Sequence, residues 1–177
     1  SALRAGGSTI LTRQIRAVTP VVSRVLLVGY TGTQPLPATV TTVPDRVEAS
    51  GPLGGLDAAL FAAGGDDLLL LACDMPNVTT ALAGYLVGLA RESTWNAVVP
   101  RTNRGYHPLC AAYSVSCHEI VQSRLSRGQL RMIDLLEDLQ VRTVESLELA
   151  QFGDAARLLA NVNTDADLAA LEALQDH

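Results

Sequence analysis

The chain has 177 residues, 48% hydrophobic and only 4% aromatic, so a core built on Leu, Val and Ala is within reach. Its formal net charge of −5 excludes nonspecific nucleic-acid binding, which needs a basic surface, but leaves room for a nucleotide in a local cationic pocket. No apolar run approaches the ~20 residues of a membrane span, the start lacks the apolar stretch of a signal peptide, and three cysteines without metal-type spacing fit a reduced, cytoplasmic compartment.

In chain order, Ser8 to Val18 reads as a helix, capped by Ser8 or Thr9, with Ile10, Leu11, Ile15 and Val18 roughly on one side. Val25 to Val28 is a predicted buried strand closed by Gly29, and Thr39 to Val43 a short β-branched strand. Pro44 to Ser50 is a polar loop that leads into Gly51-Pro52-Leu53-Gly54-Gly55. Leu56 to Ala63 is helix, ended by Gly64-Gly65. Leu68 to Cys73 has no polar alternation and reads as a strand buried on both faces. A helix from about Thr79 to Arg91 follows, then short strands over Ala97–Pro100 and Leu109–Tyr113. Val115–Ser126 and Leu130–Leu139 read as helices split at Gly128, Val141–Val144 as a strand and Asp165–Leu174 as a terminal helix. This alternation predicts an α/β three-layer sandwich with a mostly parallel sheet. With no repeat, low-complexity segment or linker, residues 1–177 read as a single domain.

Four blocks offer chemistry. Asp74 follows the Leu68–Cys73 strand, and Pro76 stops that strand. Ligands of open α/β sheets bind outside the carboxyl ends of strands, where a carboxylate can hold Mg²⁺ against phosphates. Capping of the next helix is the other reading of Asp74. Gly51-Pro52-Leu53-Gly54-Gly55 either lets backbone N–H groups approach an anion or forms a tight turn that needs positive φ. Asp45, just before it, is either a ribose or base contact or a solvated turn residue.

Arg101-Thr102-Asn103-Arg104-Gly105-Tyr106-His107-Pro108 is a loop whose paired arginines suit a phosphate or a solubilising role equally. Pro108 holds His107 extended, and no nucleophile sits beside it in a triad-like setting. His118 and His177 read as helix-surface and tail residues. Asn161-Val162-Asn163-Thr164 places two amides two residues apart, facing one way if extended; capping of the last helix by Asn163 or Thr164 is the alternative. All 13 basic residues are arginine, so no lysine is available to a phosphate.

Taken in order, Gly51-Pro52-Leu53-Gly54-Gly55-Leu56, Cys73-Asp74-Met75-Pro76, His107-Pro108-Leu109 and Asn161-Val162-Asn163-Thr164 form one pattern. It resembles the molybdenum cofactor guanylyltransferase family, within the nucleotidyltransferases, over essentially the whole chain. The resemblance implies a Rossmann-like nucleotidyltransferase fold and a cytoplasmic enzyme that transfers GMP from Mg·GTP to molybdopterin and releases pyrophosphate. It implies Asp74 as the catalytic, Mg²⁺-holding aspartate. Asp45, Gly51, Pro52, Leu53, Gly54 and Gly55 fall on the guanine-nucleotide side. Asn161 and Asn163, with Arg101 and His107, fall on the pterin side. Implied partners are GTP, molybdopterin and molybdoenzyme maturation proteins, with no nucleic acid and no membrane.

The family opens with a strand and a loop of the form LAGGxSxRMGxDK around the phosphates. Here Ala2-Leu3-Arg4-Ala5-Gly6-Gly7 resembles the stretch just after that loop's lysine. The expectation is that an N-terminal strand and phosphate loop lie outside the 177 residues. A catalytically inactive binding module, or a sister enzyme that uses CTP, are the competing readings.

Overall fold

The computed structural model describes residues 4–5, 8–33, 35–92 and 94–162. Asn163, the expected terminal helix, His177 and most of residues 1–7 lie outside the described residues. Strands β1 (Arg4–Ala5) and β2 (Ser8–Thr9) form a small antiparallel pair ahead of helix α1 (Ile10–Val18). Then come β3 (Val25–Val28), β4 (Val40–Val43), α2 (Gly51–Ala63), β5 (Leu68–Leu71) and α3 (Thr80–Arg91). The second half holds β6 (Ala97–Thr102), β7 (Gly105–Tyr106), β8 (Cys110–Tyr113), α4 (His118–Ser126) and α5 (Met132–Leu135). It ends with β9 (Val141–Val144), α6 (Ser146–Leu149) and α7 (Ala155–Leu158).

β3 and β4 pair in parallel, in register from Val25↔Val40 to Val28↔Val43. The larger sheet has the order β5-β8-β6-β7, with β9 parallel to β6. β8 runs antiparallel to both β5 and β6, so β5, β6 and β9 share one direction and β8 is reversed between them. The mostly parallel expectation therefore holds for the longer strands apart from β8. Among the described residues, neither β3 nor β5 has a strand on its second edge. The β5 side chains are half-buried rather than fully buried, because a strand at a sheet edge lacks one flanking neighbour.

Alternation along the strands builds two cores. Leu68, Leu70, Val99, Ala111 and Tyr113 face α2, α4 and α5. Leu69, Leu71, Val98, Cys110 and Ala112 face α3, α6 and α7. A one-residue register slip would exchange the two sets, so the pairing is strongly specified. Helix α2 shows why this sequence folds as it does. Pro52 stands at the helix start, where its fixed φ suits the first turn and its missing N–H costs nothing. Leu53, Leu56 and Leu60 fall on one face and are at most 1% exposed. Gly64 ends the helix with φ 66°, its N–H donating to the Phe61 carbonyl. Each buried leucine contributes about 1.5–3 kcal/mol, and Leu56→Ala is expected to cost about 2–5 kcal/mol.

Several sequence boundaries move. Helix α1 begins at Ile10 rather than Ser8, because Ser8–Thr9 pair with β1. β5 ends at Leu71 rather than Cys73, β6 runs on to Thr102, and a 3₁₀ turn over Val115–Cys117 precedes α4. Helix α2 begins at Gly51 rather than Leu56, so the glycine-rich block forms its first turns. The expected helix over Leu130–Leu139 is four α-helical residues, Met132–Leu135, followed by a 3₁₀ turn over Leu136–Asp138.

Candidate active site

Asp74 lies just past the carboxyl end of β5. Three hydrogen bonds fix its turn. Gln14, buried on α1, donates through Nε2 to the carbonyls of Ala72 (2.7 Å) and Met75 (3.0 Å), on either side of Asp74. The Val162 amide donates to the Asp74 carbonyl at 2.8 Å. Asp74 Oδ1 is buried and has no hydrogen-bond partner among the described residues. Leaving such an oxygen without a partner is costly, and a cation removes the cost. The described residues hold no group of three or more His, Cys, Asp or Glu side chains that would cage a metal. Mg²⁺ needs no such cage, since one or two carboxylates plus substrate phosphates and water complete its shell. The side chain of Asp74 fits that ion.

Beside this turn lies a pocket of about 470 Å³. Pro52, Met75, His107, Leu109, Arg131 and Asn161 are among its walls. All four sequence blocks thus meet in one place: the glycine-rich block through Pro52, the strand-end block through Met75 next to Asp74, the histidine loop through His107 and the asparagine block through Asn161. His107 is half-buried, its Nε2 2.9 Å from Thr102 Oγ1. Burial, and after it the Arg104 charge, lower its pKa from the usual 6.5. At neutral pH the imidazole is therefore uncharged, and it offers the pocket hydrogen bonding rather than charge. Leu130 and Ile133, both large apolar side chains left exposed, flank Arg131 at the rim.

The remaining sequence-predicted residues are more scattered. Arg101 is half-exposed, ion-paired to Glu145 at 3.8 Å, with its guanidinium 5.3 Å from the centre of the Tyr106 ring. It reaches the pocket only through Tyr106, which is one of the lining residues. Leu53 has no exposed surface, backbone included, and packs in the core, so it is not open to a ligand. A Cβ on Gly54 would stand 2.7 Å from Ser50 Cβ, so this glycine is required by contacts within the protein. At Gly55 nothing lies within 4 Å, which leaves that face of α2 open. Ala49, at φ 55°, just before the helix, and Gly51, at φ 55°, its first residue, both take the left-handed conformation. For alanine that conformation is strained, and such strain concentrates near functional sites.

Asp45 lies beyond the end of β4, and its side chain lies over Gly29 at the end of β3. A Cβ there, at φ 64°, would meet Asp45 Oδ2 at 2.9 Å. The next residue, Arg46, is clamped. Its Nη1 is 2.9 Å from Asp57 Oδ2, and its guanidinium lies 4.0 Å from the centre of the Phe61 ring. The other Asp57 oxygen meets His118 Nε2 at 2.9 Å. His118 is therefore bound into this cluster rather than standing free on a helix surface.

The family of MobA-like NTP transferase domains matches residues 1–145. The chain belongs to that family. As a MobA-like NTP transferase it is an enzyme of the nucleotidyltransferase class. It is 30% identical over 166 residues to a probable molybdenum cofactor guanylyltransferase from Pelotomaculum thermopropionicum, covering 94% of this chain and 80% of the relative. The molybdenum cofactor guanylyltransferase of Desulfosudis oleivorans is 29% identical over 167 residues, covering 94% and 82%. In fold, the chain is similar to molybdopterin-guanine dinucleotide biosynthesis protein A from Archaeoglobus fulgidus, with a TM-score of 0.79, 19% identity and coverage of 99% and 89%. It is also similar to 2-C-methyl-D-erythritol 4-phosphate cytidylyltransferase from Thermus thermophilus, with a TM-score of 0.71, 17% identity and coverage of 98% and 92%. These two likenesses carry the Rossmann-like nucleotidyltransferase fold.

In this MobA-like domain, sequence reasoning missed Gln14, Arg131 and Asp57. Gln14 had one signal, an amide inside the apolar face of α1. Asp57 had a similar one, a carboxylate among the apolar residues of α2. Arg131 had none beyond its place after Gly128.

Proposed function

We propose that the chain transfers GMP from Mg·GTP to the terminal phosphate of molybdopterin. An oxygen of that phosphate attacks the α-phosphorus of GTP, the new P–O bond forms, and the bond to the bridging oxygen breaks to release pyrophosphate. The observation that carries the reading is the orphaned Asp74 Oδ1 at the strand end, beside a pocket reached by Pro52, His107 and Asn161. The guanylyltransferase relatives support the choice of GTP and pterin.

In this reading Asp74 holds Mg²⁺, which when bound neutralises phosphate charge. Asp45 and the first turns of α2 lie on the guanine-nucleotide side, with the exposed Gly51 and Pro52 and the open face at Gly55 turned to it. Asn161 and Asn163 read the pterin edge, the neutral His107 hydrogen-bonds it, and Arg131 and Arg101 supply positive charge for the acceptor phosphate. Such chemistry rests on positioning and charge stabilisation, and needs no covalent nucleophile. Residues 1–177 act as a single nucleotidyltransferase domain. In this reading the enzyme acts in the cytoplasm alongside molybdoenzyme maturation proteins; among the described residues the cysteines are free and no helix is long and apolar enough to cross a membrane.

The test is incubation of the chain with molybdopterin, Mg²⁺ and GTP or CTP. The expected result is pyrophosphate release and a guanine dinucleotide with GTP, and little product with CTP. Equal use of CTP would return the chain to the sister-enzyme reading, and nucleotide binding without product to the binding-module reading.

A further inference from the structure

A second concavity, of about 520 Å³, shares no lining residue with the Asp74 pocket. Its charged and polar walls are Arg13 and Arg16 of α1, Arg157 of α7, and Asn77, Thr79 and Thr80 at the start of α3. No carboxylate lines it among the described residues. That is unusual in a chain of net charge −5. Elsewhere Arg24, Arg46, Arg101, Arg124, Arg131 and Arg142 each pair with a carboxylate.

Arg13 and Arg16 stand three residues apart on α1, on neighbouring turns of one face. Among the described residues, neither makes an ion pair. They face the N-terminus of the 12-residue helix α3, which carries partial positive charge. Thr79 Oγ1 already caps the Leu82 amide, leaving the first-turn N–H groups of Thr80 and Ala81 without an intrahelical partner. Two guanidinium groups and a helix N-terminus of the same sign repel one another across the cleft. A bound anion reverses the sign of that interaction and satisfies donors of both kinds.

We propose that this cleft is an anion site, separate from the Asp74 pocket, that takes a phosphate-class dianion: inorganic phosphate or pyrophosphate. Arg13 and Arg16 are its clamp, and the first turn of α3 its backbone cradle. The inference rests on this geometry and not on the reaction proposed above.

The experiment is calorimetric titration of the full chain with inorganic phosphate and, separately, with pyrophosphate, in EDTA so that no metal recruits either to Asp74. Saturable binding is expected in the wild type, and the tighter of the two ligands identifies the source. In Arg13→Gln/Arg16→Gln the affinity is expected to fall roughly tenfold or more, since charge-assisted hydrogen bonds are lost. Thr80→Asp places a carboxylate in the first turn of α3, where it stabilises the helix. That variant is expected to melt higher and to lose phosphate binding. Asp74→Asn is expected to keep it. The proposal is overturned by no saturable binding in the wild type, by binding that survives in both cleft variants, or by binding that disappears in Asp74→Asn.

Discussion

The Val162 amide donates to the Asp74 carbonyl across 2.8 Å. This one bond ties the asparagine block to the turn after β5, and so places Asn161 beside the pocket that Met75 lines. Any ligand that engages Asp74 and Asn161 together is read by two segments whose separation is fixed by backbone.

Asp74→Asn keeps the side-chain shape and removes its charge. Turnover is expected to fall by a factor on the order of 10² or more, because metal charge stabilisation is worth several kcal/mol. The melting temperature is expected to hold or rise, since a buried oxygen without a partner is no longer charged. Steady-state assays and calorimetry measure both, and activity near wild type would remove Asp74 from catalysis.

Asn161→Ala and Asn163→Ala are expected to weaken pterin transfer by roughly 1–3 kcal/mol each, the cost of a lost bond to a buried ligand group. GTP affinity is expected to stay nearly unchanged. Equal damage to GTP binding would place these amides on the nucleotide instead.

Gly54 and Gly55 separate structure from binding. Gly54→Ala drives a Cβ to 2.7 Å from Ser50 Cβ and is expected to destabilise the fold by about 1–3 kcal/mol. Gly55→Ala meets nothing within 4 Å and is expected to raise stability by about 0.5–1 kcal/mol through helix propensity. If α2 approaches the nucleotide, Gly55→Ala still weakens GTP binding. Unchanged affinity by calorimetry would show that the open face of α2 is not a nucleotide contact.

Gln14→Leu conserves volume but strips the carbonyls of Ala72 and Met75 of their donor. A loss of roughly 1–3 kcal/mol per orphaned carbonyl is expected in urea unfolding. Turnover at a temperature where the variant is fully folded is expected to drop as well, because the Asp74 turn loses two of its three tethers.

The Arg142–Glu148 pair sets an acid limit. The hydrogen bond and charge of Arg142 hold the Glu148 carboxyl at about 2, below its usual 4.5. Because the folded value is the lower one, the contribution to stability is complete above about 4.5 and lost as pH falls through about 2. The melting-temperature gap between wild type and Glu148→Gln is expected to be full at pH 7 and to close over that window. A gap that stays constant would contradict the pairing.

Much of this was legible in the residues. β3 and β9 match their predicted bounds, and β5 begins at Leu68 as expected though it ends at Leu71 rather than Cys73. Helix α3 starts within a residue of the expected Thr79, which is its cap in place of Asp74. Strand direction was not legible for β8, because an apolar strand four residues long carries no mark of which way it runs. The first turns of α2 read as a loop because glycine and proline have low helix propensity, and here tertiary packing of Leu53 overrides it. Gln14 bonds a carbonyl 58 residues away, a relation no local window contains. Arg131 sits in a stretch whose apolar spacing suits a longer helix, so its place at the rim emerges only from the broken one.

Asp57 brings together Arg46 from the loop before α2 and His118 from α4. A carboxylate this deeply enclosed is tolerable only with both companions, and each companion loses its ion-pair partner if Asp57 goes. Substitution of any one alone is therefore the damaging step, while simultaneous replacement of all three by apolar residues is not. Over evolutionary time the three positions are expected to behave as one inherited character. Relatives with an aliphatic residue at the Asp57 position should also have given up the arginine and the histidine.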